Sequence, residues 1–218
     1  MFRNIKGEIL METEKIKAIL FDLGNVLVRF DLAIMAKGYS KYARIPDERI
    51  AEFVMSSRLG EWYMRGKLTS SEFYRKTAAF FKMKKISYDE FYAVWNSIFS
   101  PYREMEDIVR NLKKKYPHIP LIIVSDTNEE HFNFVRKEYE FIDLVDHFVL
   151  SQDIGRLKPH HDMYNAAITL AGVLPREIFY TDDREDLIRK ARAMGLRAYQ
   201  FTGHEALIKQ FEKLGVSL

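Results

Sequence analysis

The residues best suited to chemistry in this sequence come directly after short apolar segments. Asp22 follows the first of these segments, Ser125 follows a later one, and the acidic pair Asp182 and Asp183 follows the last. In open α/β sheets ligands bind outside the carboxyl ends of the strands, so a polar side chain at such a position faces the ligand. If the apolar segments are strands of one sheet, these side chains meet at a common edge and form a candidate active site.

A carboxylate, a hydroxyl and a lysine together suit the transfer of a phosphoryl group. A phosphate monoester is anionic and resists attack, so an enzyme needs a positioned nucleophile and positive charge around the phosphoryl group. Asp22 can be this nucleophile, because an aspartyl-phosphate splits one difficult displacement into two easier ones. Lys158 precedes Pro159, which favours an extended backbone and leaves the ammonium group free to contact the phosphoryl group.

The segment after residues 119–124 offers hydrogen-bond donors for a phosphate group. Ser125 carries a hydroxyl, and the backbone amides of Asp126 and Thr127 are expected at the start of a helix, where they can donate to phosphate oxygens. The same serine can instead be only the N-cap of that helix. Both interpretations of Ser125 are compatible with the sequence.

The acidic pair Asp182 and Asp183 indicates a metal ion. If these residues lie near Asp22 at one sheet edge, their carboxylates repel one another unless a cation lies between them. Oxygen ligands, open water positions and a phosphate substrate together favour Mg²⁺, which proteins bind through one or two carboxylates plus the substrate. Asp182 or Asp186 can hold a metal-bound water, although Asp186 can also merely stabilise the start of the following helix.

Apolar segments alternate with helical patterns along most of the chain. We predict buried strands at residues 18–21, 119–124, 148–150 and 178–180. Helical periodicity is present in three ranges, 129–139, 163–172 and 186–195. This alternation predicts right-handed βαβ crossovers and therefore an α/β fold with a doubly wound, Rossmann-like parallel sheet.

Residues 32–101 differ from the rest of the chain, because aromatic and aliphatic residues recur there at helical spacing and no strand-like segment is present. Helix starts are indicated near residues 46, 69 and 87, where the spacing of hydroxyl and acidic residues suggests capping boxes. We predict an all-helical cap that lies above Asp22 and can act as a lid. The predicted parts are an N-terminal extension (1–11), an α/β core (12–31 and 102–218) and the cap (32–101).

The composition indicates a globular cytoplasmic protein. The chain has 218 residues, of which 47% are hydrophobic, and its 34 basic and 31 acidic residues nearly cancel. The absence of cysteine excludes disulfides and thiolate metal sites. No signal peptide is evident, and no apolar stretch approaches the roughly 18 residues of a membrane span. We expect a small-molecule phosphate ester as the partner, and neither nucleic acid nor membrane.

The order of these motifs resembles that of the haloacid dehalogenase (HAD) superfamily. The motifs are Asp22 in Phe-Asp-Leu-Gly-Asn-Val, Ser125, Lys158 in Gly-Arg-Leu-Lys-Pro, and the pair Asp182 and Asp183. The surrounding sequence is similar to the branch that contains bacterial α-D-glucose-1-phosphate phosphatase and the phosphatase domain of epoxide hydrolases. The resemblance implies a HAD-like fold and a Mg²⁺-dependent phosphatase that acts on a small phosphorylated metabolite, such as a hexose 1-phosphate.

The resemblance also implies roles for individual residues. It assigns Asp22 as the nucleophile, and Asp22, the backbone carbonyl of Gly24 and Asp183 as direct Mg²⁺ ligands. Most phosphatases of this superfamily carry a second aspartate, acting as general acid and base, at the position that is Gly24 here. Because such proton transfer contributes about 10²–10⁴-fold, a water or a cap residue such as Glu61 or Tyr63 is a candidate replacement.

Two other functions are compatible with the sequence. A 2-haloacid dehalogenase would use Asp22 to displace halide and needs neither a metal nor an acid for the leaving group, so Gly24 suits it. The pair Asp182 and Asp183 argues against this function. A non-catalytic module would bind Mg²⁺ and phosphate, or a partner, without turnover.

Overall fold

The computed structural model describes residues 2–3, 9–10, 15–43 and 45–218, so the predicted boundary between residues 11 and 12 lies outside it. The strands are β1 (Phe2–Arg3), β2 (Ile9–Leu10), β3 (Ala18–Phe21), β4 (Arg29–Phe30), β5 (Phe99–Ser100), β6 (Leu121–Ser125), β7 (His147–Leu150), β8 (Ile178–Asp182) and β9 (Arg197–Gln200). The helices are α1 (Leu32–Ser40), α2 (Asp47–Ser56), α3 (Arg58–Met64), α4 (Ser70–Phe80), α5 (Tyr88–Asn96), α6 (Arg103–Lys115), α7 (Glu129–Glu138), α8 (Ser151–Ile154), α9 (His161–Ala171), α10 (Glu185–Ala193) and α11 (His204–Lys213). None of these helices combines the length and the apolar character needed to cross a bilayer.

A five-stranded sheet is the centre of the fold. Its strand order is β7-β6-β3-β8-β9, with β3 in the middle. All four pairings in this sheet are parallel. After β3 the chain builds one side of the sheet and then crosses to the other, so the sheet is doubly wound, as predicted.

Helices cover both faces of this sheet. Successive side chains of a strand point to opposite faces, and all four residues of β3 are buried. Ile19 and Phe21 belong to an apolar core shared with α6, α7 and α11, whereas Ala18 and Leu20 belong to a second core shared with α9 and α10. The near-continuous apolar strands of the sequence therefore reflect burial on two faces.

The predicted strands and helices of the core are confirmed, with ends that differ by at most two residues. Strand β9 was not predicted, because Ala198 is its only fully buried residue and no apolar run marks it. Helices α6 and α11 were also not predicted.

Helices α1 to α5 form the cap, which has an apolar core of its own. This core contains the buried aromatic residues Tyr39, Tyr63, Phe73, Phe81, Phe91, Tyr92 and Trp95. The capping boxes expected near residues 69 and 87 are confirmed, since Thr69 pairs with Glu72 and Ser87 pairs with Glu90. Helix α2 also begins where predicted, after Pro46, but no side chain caps it.

One detail of the cap differs from the prediction. Phe99 and Ser100, inside the range expected to be all-helical, form β5 and pair antiparallel with β4. Each of these strands has only two residues, which is too short to show the alternation that reveals a strand in a sequence. The pairing of β4 with β5 joins the segment in which the chain leaves the α/β core to the segment in which it returns.

Loss of the Thr69 cap should destabilise helix α4. The Thr69 hydroxyl accepts a hydrogen bond from the Glu72 amide at 3.2 Å, and the Glu72 carboxylate accepts one from the Thr69 amide at 2.9 Å. We expect Thr69→Ala to lower the free energy of unfolding, measured in urea, by about 1 kcal/mol. Thr169→Ala, which changes an exposed threonine inside α9, is the matched control and should have an effect below about 0.5 kcal/mol. Equal losses in the two variants would contradict the prediction.

Candidate active site

Asp22, Ser125 and Asp182 lie together at the carboxyl edge of the central sheet. Asp22 follows β3 directly, while Ser125 ends β6 and Asp182 ends β8, the two strands that flank β3. The Asp22 amide extends the strand pairing by donating to the Thr181 carbonyl at 2.9 Å. The structure therefore brings together the side chains that the ends of the apolar segments indicated.

The Lys158 ammonium group is buried at the centre of this edge. Its Nζ donates to Asp22 Oδ1 at 2.8 Å, to Asp182 Oδ2 at 2.6 Å and to the Val124 carbonyl at 3.2 Å. Burial disfavours the charged ammonium, but the carboxylates of Asp22 and Asp182 outweigh this effect and hold the pKa of Lys158 well above its usual value. A fixed positive charge therefore lies next to the candidate nucleophile.

Asp182 is fully buried, and both of its carboxylate oxygens are engaged. Besides Lys158, Oδ2 accepts a hydrogen bond from the Tyr180 hydroxyl at 2.5 Å, and Oδ1 accepts one from the Arg184 amide at 2.9 Å. This arrangement suits a residue that positions Lys158 better than one that binds a metal ion directly.

The carboxylates of Asp22, Asp182 and Asp183 are close enough to share a cation. One oxygen from each lies within 4.8 Å of the others. Burial and the neighbouring Asp182 raise the pKa of Asp22 to about 7 despite the contact with Lys158, and the same two causes raise the pKa of Asp183. Because one ammonium faces three carboxylates, the cluster has excess negative charge. Its oxygen-only donor set fits a hard divalent cation such as Mg²⁺.

The loop after β6 differs from the prediction in two respects. The N-cap of α7 is Asn128, whose Oδ1 accepts a hydrogen bond from the His131 amide at 3.1 Å. The interpretation of Ser125 as the N-cap is therefore wrong. Thr127 directly precedes this N-cap, and its amide is already occupied, since it donates to the Ser151 hydroxyl at 3.0 Å.

Ser125 and Asp126 both line the space next to Lys158. Ser125 is buried at the end of β6, and Asp126 Oδ1 accepts a hydrogen bond from the Lys158 backbone amide at 2.9 Å. Burial raises the pKa of Asp126, against the opposing effect of the Lys158 charge. The Asp126 side chain thus fixes the segment that carries the lysine.

Three other residues considered from the sequence belong neither to this carboxylate cluster nor to the lining of the cavity beside it. Asp186 is in the first turn of α10 and forms an ion pair with Arg184 at 2.8 Å. Tyr63 is buried in the apolar core of the cap, and Glu61 forms an ion pair with Arg65 at 2.7 Å. The structure therefore brings neither Glu61 nor Tyr63 to the site as a replacement for the acid missing at position 24.

A cavity of about 420 Å³ separates the sheet edge from the cap. Its floor contains Asp22, Ser125, Lys158 and Asp183. Its walls are mainly apolar and come from the cap and its connecting segments, with Phe30, Leu32, Met64, Trp95, Ile98 and Phe99. A ligand whose charged group lies on the floor would have the rest of its molecule in contact with these apolar side chains.

A buried cluster of Trp95, Asn128 and His131 joins the cap to α7, and the sequence did not predict it. Trp95 Nε1 donates to Asn128 Oδ1 at 3.3 Å, Asn128 Nδ2 lies 3.0 Å from His131 Nδ1, and His131 Nε2 lies 3.1 Å from the Trp95 carbonyl oxygen. The Trp95 and His131 rings stack with centroids 4.8 Å apart. Burial lowers the pKa of His131 to about 3, so its imidazole is neutral.

A backbone carbonyl and a side chain at the end of α3 also bind the core. The Ser151 hydroxyl lies 2.6 Å from the Met64 carbonyl oxygen, and Arg65 Nε donates to the Gly155 carbonyl at 3.0 Å. Gly66 has φ of +62°, and a Cβ atom there would lie 2.3 Å from a carbonyl oxygen of α8. Only glycine fits this position, so the cap rests closely on the core.

This architecture places the chain among α/β proteins that bind ligands at the carboxyl edge of a parallel sheet. A sequence model of the haloacid dehalogenase-like hydrolase family matches residues 16–195. The chain therefore belongs to the haloacid dehalogenase-like hydrolases.

Individual relatives agree with this family assignment. D-ribitol-5-phosphate phosphatase of Bacteroides thetaiotaomicron is 26% identical over 194 residues, which cover 85% of this chain and 91% of the relative. The crystal structure of a HAD family enzyme from the same bacterium is similar with a TM-score of 0.80 and 23% identity, over 90% of this chain and 98% of that chain. A structure of that enzyme in complex with magnesium and inorganic phosphate has a TM-score of 0.75 and 24% identity, over 85% and 93% of the two chains. These similarities confirm the HAD-like fold.

The neutral, buried His131 should make stability depend on pH. The unfolded chain binds a proton at this residue with a pKa of about 6.5, whereas burial lowers the folded pKa to about 3. Since the unfolded state binds more protons between these values, stability falls as the pH drops below about 6.5. We expect the free energy of unfolding in urea to fall by about 1 kcal/mol more in the wild type than in His131→Gln between about pH 7 and pH 5.5.

The exposed His118 offers a matched control for this measurement. His118→Gln should keep the full pH dependence of the wild type, because the side chain is exposed. A pH dependence that is equal in His131→Gln and the wild type would contradict the prediction.

Removal of the Lys158 charge should destabilise the sheet edge. Lys158→Met leaves Asp22 and Asp182 buried without their cation, and breaking a buried ion pair in this way costs about 3–5 kcal/mol. We expect this loss in the free energy of unfolding, measured by urea denaturation in metal-free buffer. Lys137→Met on the exposed face of α7 is the control. An equally small effect of both substitutions would show that the ion pairs do not stabilise the fold.

Proposed function

We propose that the chain is a Mg²⁺-dependent phosphatase that hydrolyses a small phosphorylated metabolite through an aspartyl-phosphate on Asp22. One observation carries this proposal, the distance of 2.8 Å between Lys158 Nζ and Asp22 Oδ1 on the floor of the cavity. Phosphoryl transfer needs a nucleophile and a positive charge at the same place, and this contact supplies both. The family assignment supports hydrolysis as the reaction.

Asp22, the backbone carbonyl of Gly24 and Asp183 would hold the Mg²⁺ ion. The excess negative charge and the oxygen-only donors of the cluster support this assignment. When bound, the ion supplies positive charge that offsets the charge on the phosphoryl oxygens. A related structure that contains magnesium and inorganic phosphate gives further support.

The remaining residues of the floor would bind the phosphoryl group. The Ser125 hydroxyl and the Asp126 amide can donate to its oxygens, while Lys158 supplies fixed positive charge. Thr127 lines the same cavity, but its amide is bound to Ser151, so we assign it a smaller part in this binding.

We further propose that the metabolite is a sugar phosphate, such as a hexose 1-phosphate, and that the cap over residues 32–101 selects it. The resemblance to the glucose-1-phosphate phosphatase branch and the similarity to D-ribitol-5-phosphate phosphatase support a sugar phosphate. The cavity of about 420 Å³ has the size of a site for a small molecule.

Hydrolysis should depend on Mg²⁺ and on the Asp22 carboxylate. We expect EDTA to abolish phosphate release from 4-nitrophenyl phosphate, and Asp22→Asn to lower kcat by at least about 10³-fold, because an amide cannot form the aspartyl-phosphate. Asp143→Asn is the matched control, since Asp143 is exposed, forms an ion pair with Arg136 and does not line the cavity.

Two further measurements, halide release from a 2-haloacid and binding of Mg²⁺ and phosphate, test the other functions. Halide release from a 2-haloacid that persists in EDTA would identify a dehalogenase. Binding of Mg²⁺ and phosphate without hydrolysis of any phosphate ester would identify a non-catalytic module.

A further inference from the structure

We infer that the substrate is the phosphate ester of an acidic hydroxyl, such as the anomeric hydroxyl of a sugar, and that its oxygen leaves without a proton from the protein. This inference rests on the proposed phosphatase function and narrows its substrate class. It is carried by the side chains that surround the place where the leaving group must lie.

The cap side of the cavity offers no acid to the leaving group. In a phosphoryl transfer the attacking and leaving oxygens are roughly in line, so a leaving group opposite Asp22 points toward the cap. Among the described residues, those of the cap that line the cavity are Leu32, Gly60, Met64, Trp95, Ile98 and Phe99. None of them has a titratable side chain, and Trp95 Nε1 already donates to Asn128.

Position 24, two residues after the proposed nucleophile, also lacks space for an acidic side chain. A Cβ atom at Gly24 would lie 2.8 Å from Cε1 and 2.9 Å from Cδ1 of Phe30. The backbone of Gly24 lies outside the left-handed region, so the conformation itself permits other residues. The Phe30 ring therefore occupies the space that a side chain at position 24 needs, and it presents carbon atoms to the cavity.

The other titratable side chains that line the cavity have no role in the proposed reaction and make contacts elsewhere. Asp126 follows β6 on the core side of the cavity, opposite the cap, and its Oδ1 accepts a hydrogen bond from the Lys158 amide, while Arg184 forms an ion pair with Asp186. Both ring nitrogens of His131 lie within hydrogen-bond distance of other groups, and its imidazole is neutral. A guanidinium keeps its protons, so Arg184 cannot replace an acid.

The reaction balances without such an acid when the leaving oxygen is stable as an anion. The Asp22 carboxylate forms a bond to phosphorus while the bond to the leaving oxygen breaks, and that oxygen keeps the electron pair. The anion departs and takes a proton from water. A second water attacks phosphorus and releases inorganic phosphate, which restores the Asp22 carboxylate and returns the proton to solvent. The first step is therefore faster for phosphate esters of acidic hydroxyls than for those of ordinary alcohols.

Phenyl phosphate and cyclohexyl phosphate test this inference, because they are similar in size but phenol is a far stronger acid than cyclohexanol. An enzyme with a general acid gains about 10²–10⁴-fold from proton transfer, mostly for the poorer leaving group. We expect kcat/KM with Mg²⁺, measured by phosphate release, to be at least about 10²-fold higher for phenyl phosphate. Glucose 1-phosphate should likewise be hydrolysed faster than glucose 6-phosphate.

The outcomes separate this inference from the proposed function. Values of kcat/KM for phenyl and cyclohexyl phosphate within about 3-fold of each other would overturn the inference and leave a phosphatase, because an acid must then protonate the leaving group. Failure to hydrolyse any phosphate ester with Mg²⁺ would overturn the proposed function, and the inference with it.

Two paired variants test the role of position 24 directly. Phe30→Ala makes room for a side chain, and combining it with either Gly24→Asp or Gly24→Asn introduces an acid or its isosteric amide. We expect the aspartate variant to have a phenyl-to-cyclohexyl ratio of kcat/KM at least about 10-fold lower than that of the asparagine variant. Equal ratios in the two variants, with folding checked by circular dichroism, would overturn the assignment of position 24.

Discussion

A buried ammonium group holds the carboxyl edge of this sheet together. Lys158 Nζ contacts Asp22, Asp182 and the Val124 carbonyl, which belong to the ends of three neighbouring strands. Removing such charges from water is costly, so the arrangement is stable only while the partners remain together. The Lys158 amide, bound to Asp126, fixes the loop that carries the lysine. The contacts that define the candidate site are thus also contacts that define the fold.

The cap determines the surroundings in which these charges act. Its apolar residues form the walls of the cavity, and a low local dielectric strengthens the interaction between Lys158 and the carboxylates below. Hydrogen bonds among Trp95, Asn128 and His131 connect the cap to α7, next to the loop that follows Ser125. The electrostatics of the floor therefore depend on a part of the chain that supplies no charge to it.

Local patterns predicted the sheet and the convergence of its polar strand ends, while contacts between distant segments were not predictable. Asp22 and Ser125 were recognisable because each comes at the end of an apolar run that is buried on two faces. The contact that occupies the Thr127 amide was not predictable, because its partner, Ser151, lies 24 residues further along the chain. His131 was missed because its partner Trp95 lies 36 residues away, in the cap. Neither pairing leaves a periodic signal in the sequence.

The contact between Gly24 and Phe30 constrains the order in which this site can change during evolution. An acid acquired at position 24 while the ring is present meets carbon atoms at less than contact distance. Loss of the ring alone removes part of the cavity wall, so each single change is unfavourable and the effects of the two are not additive. Substitutions at positions 24 and 30 are therefore interdependent, because an acidic side chain at position 24 needs a smaller side chain than phenylalanine at position 30.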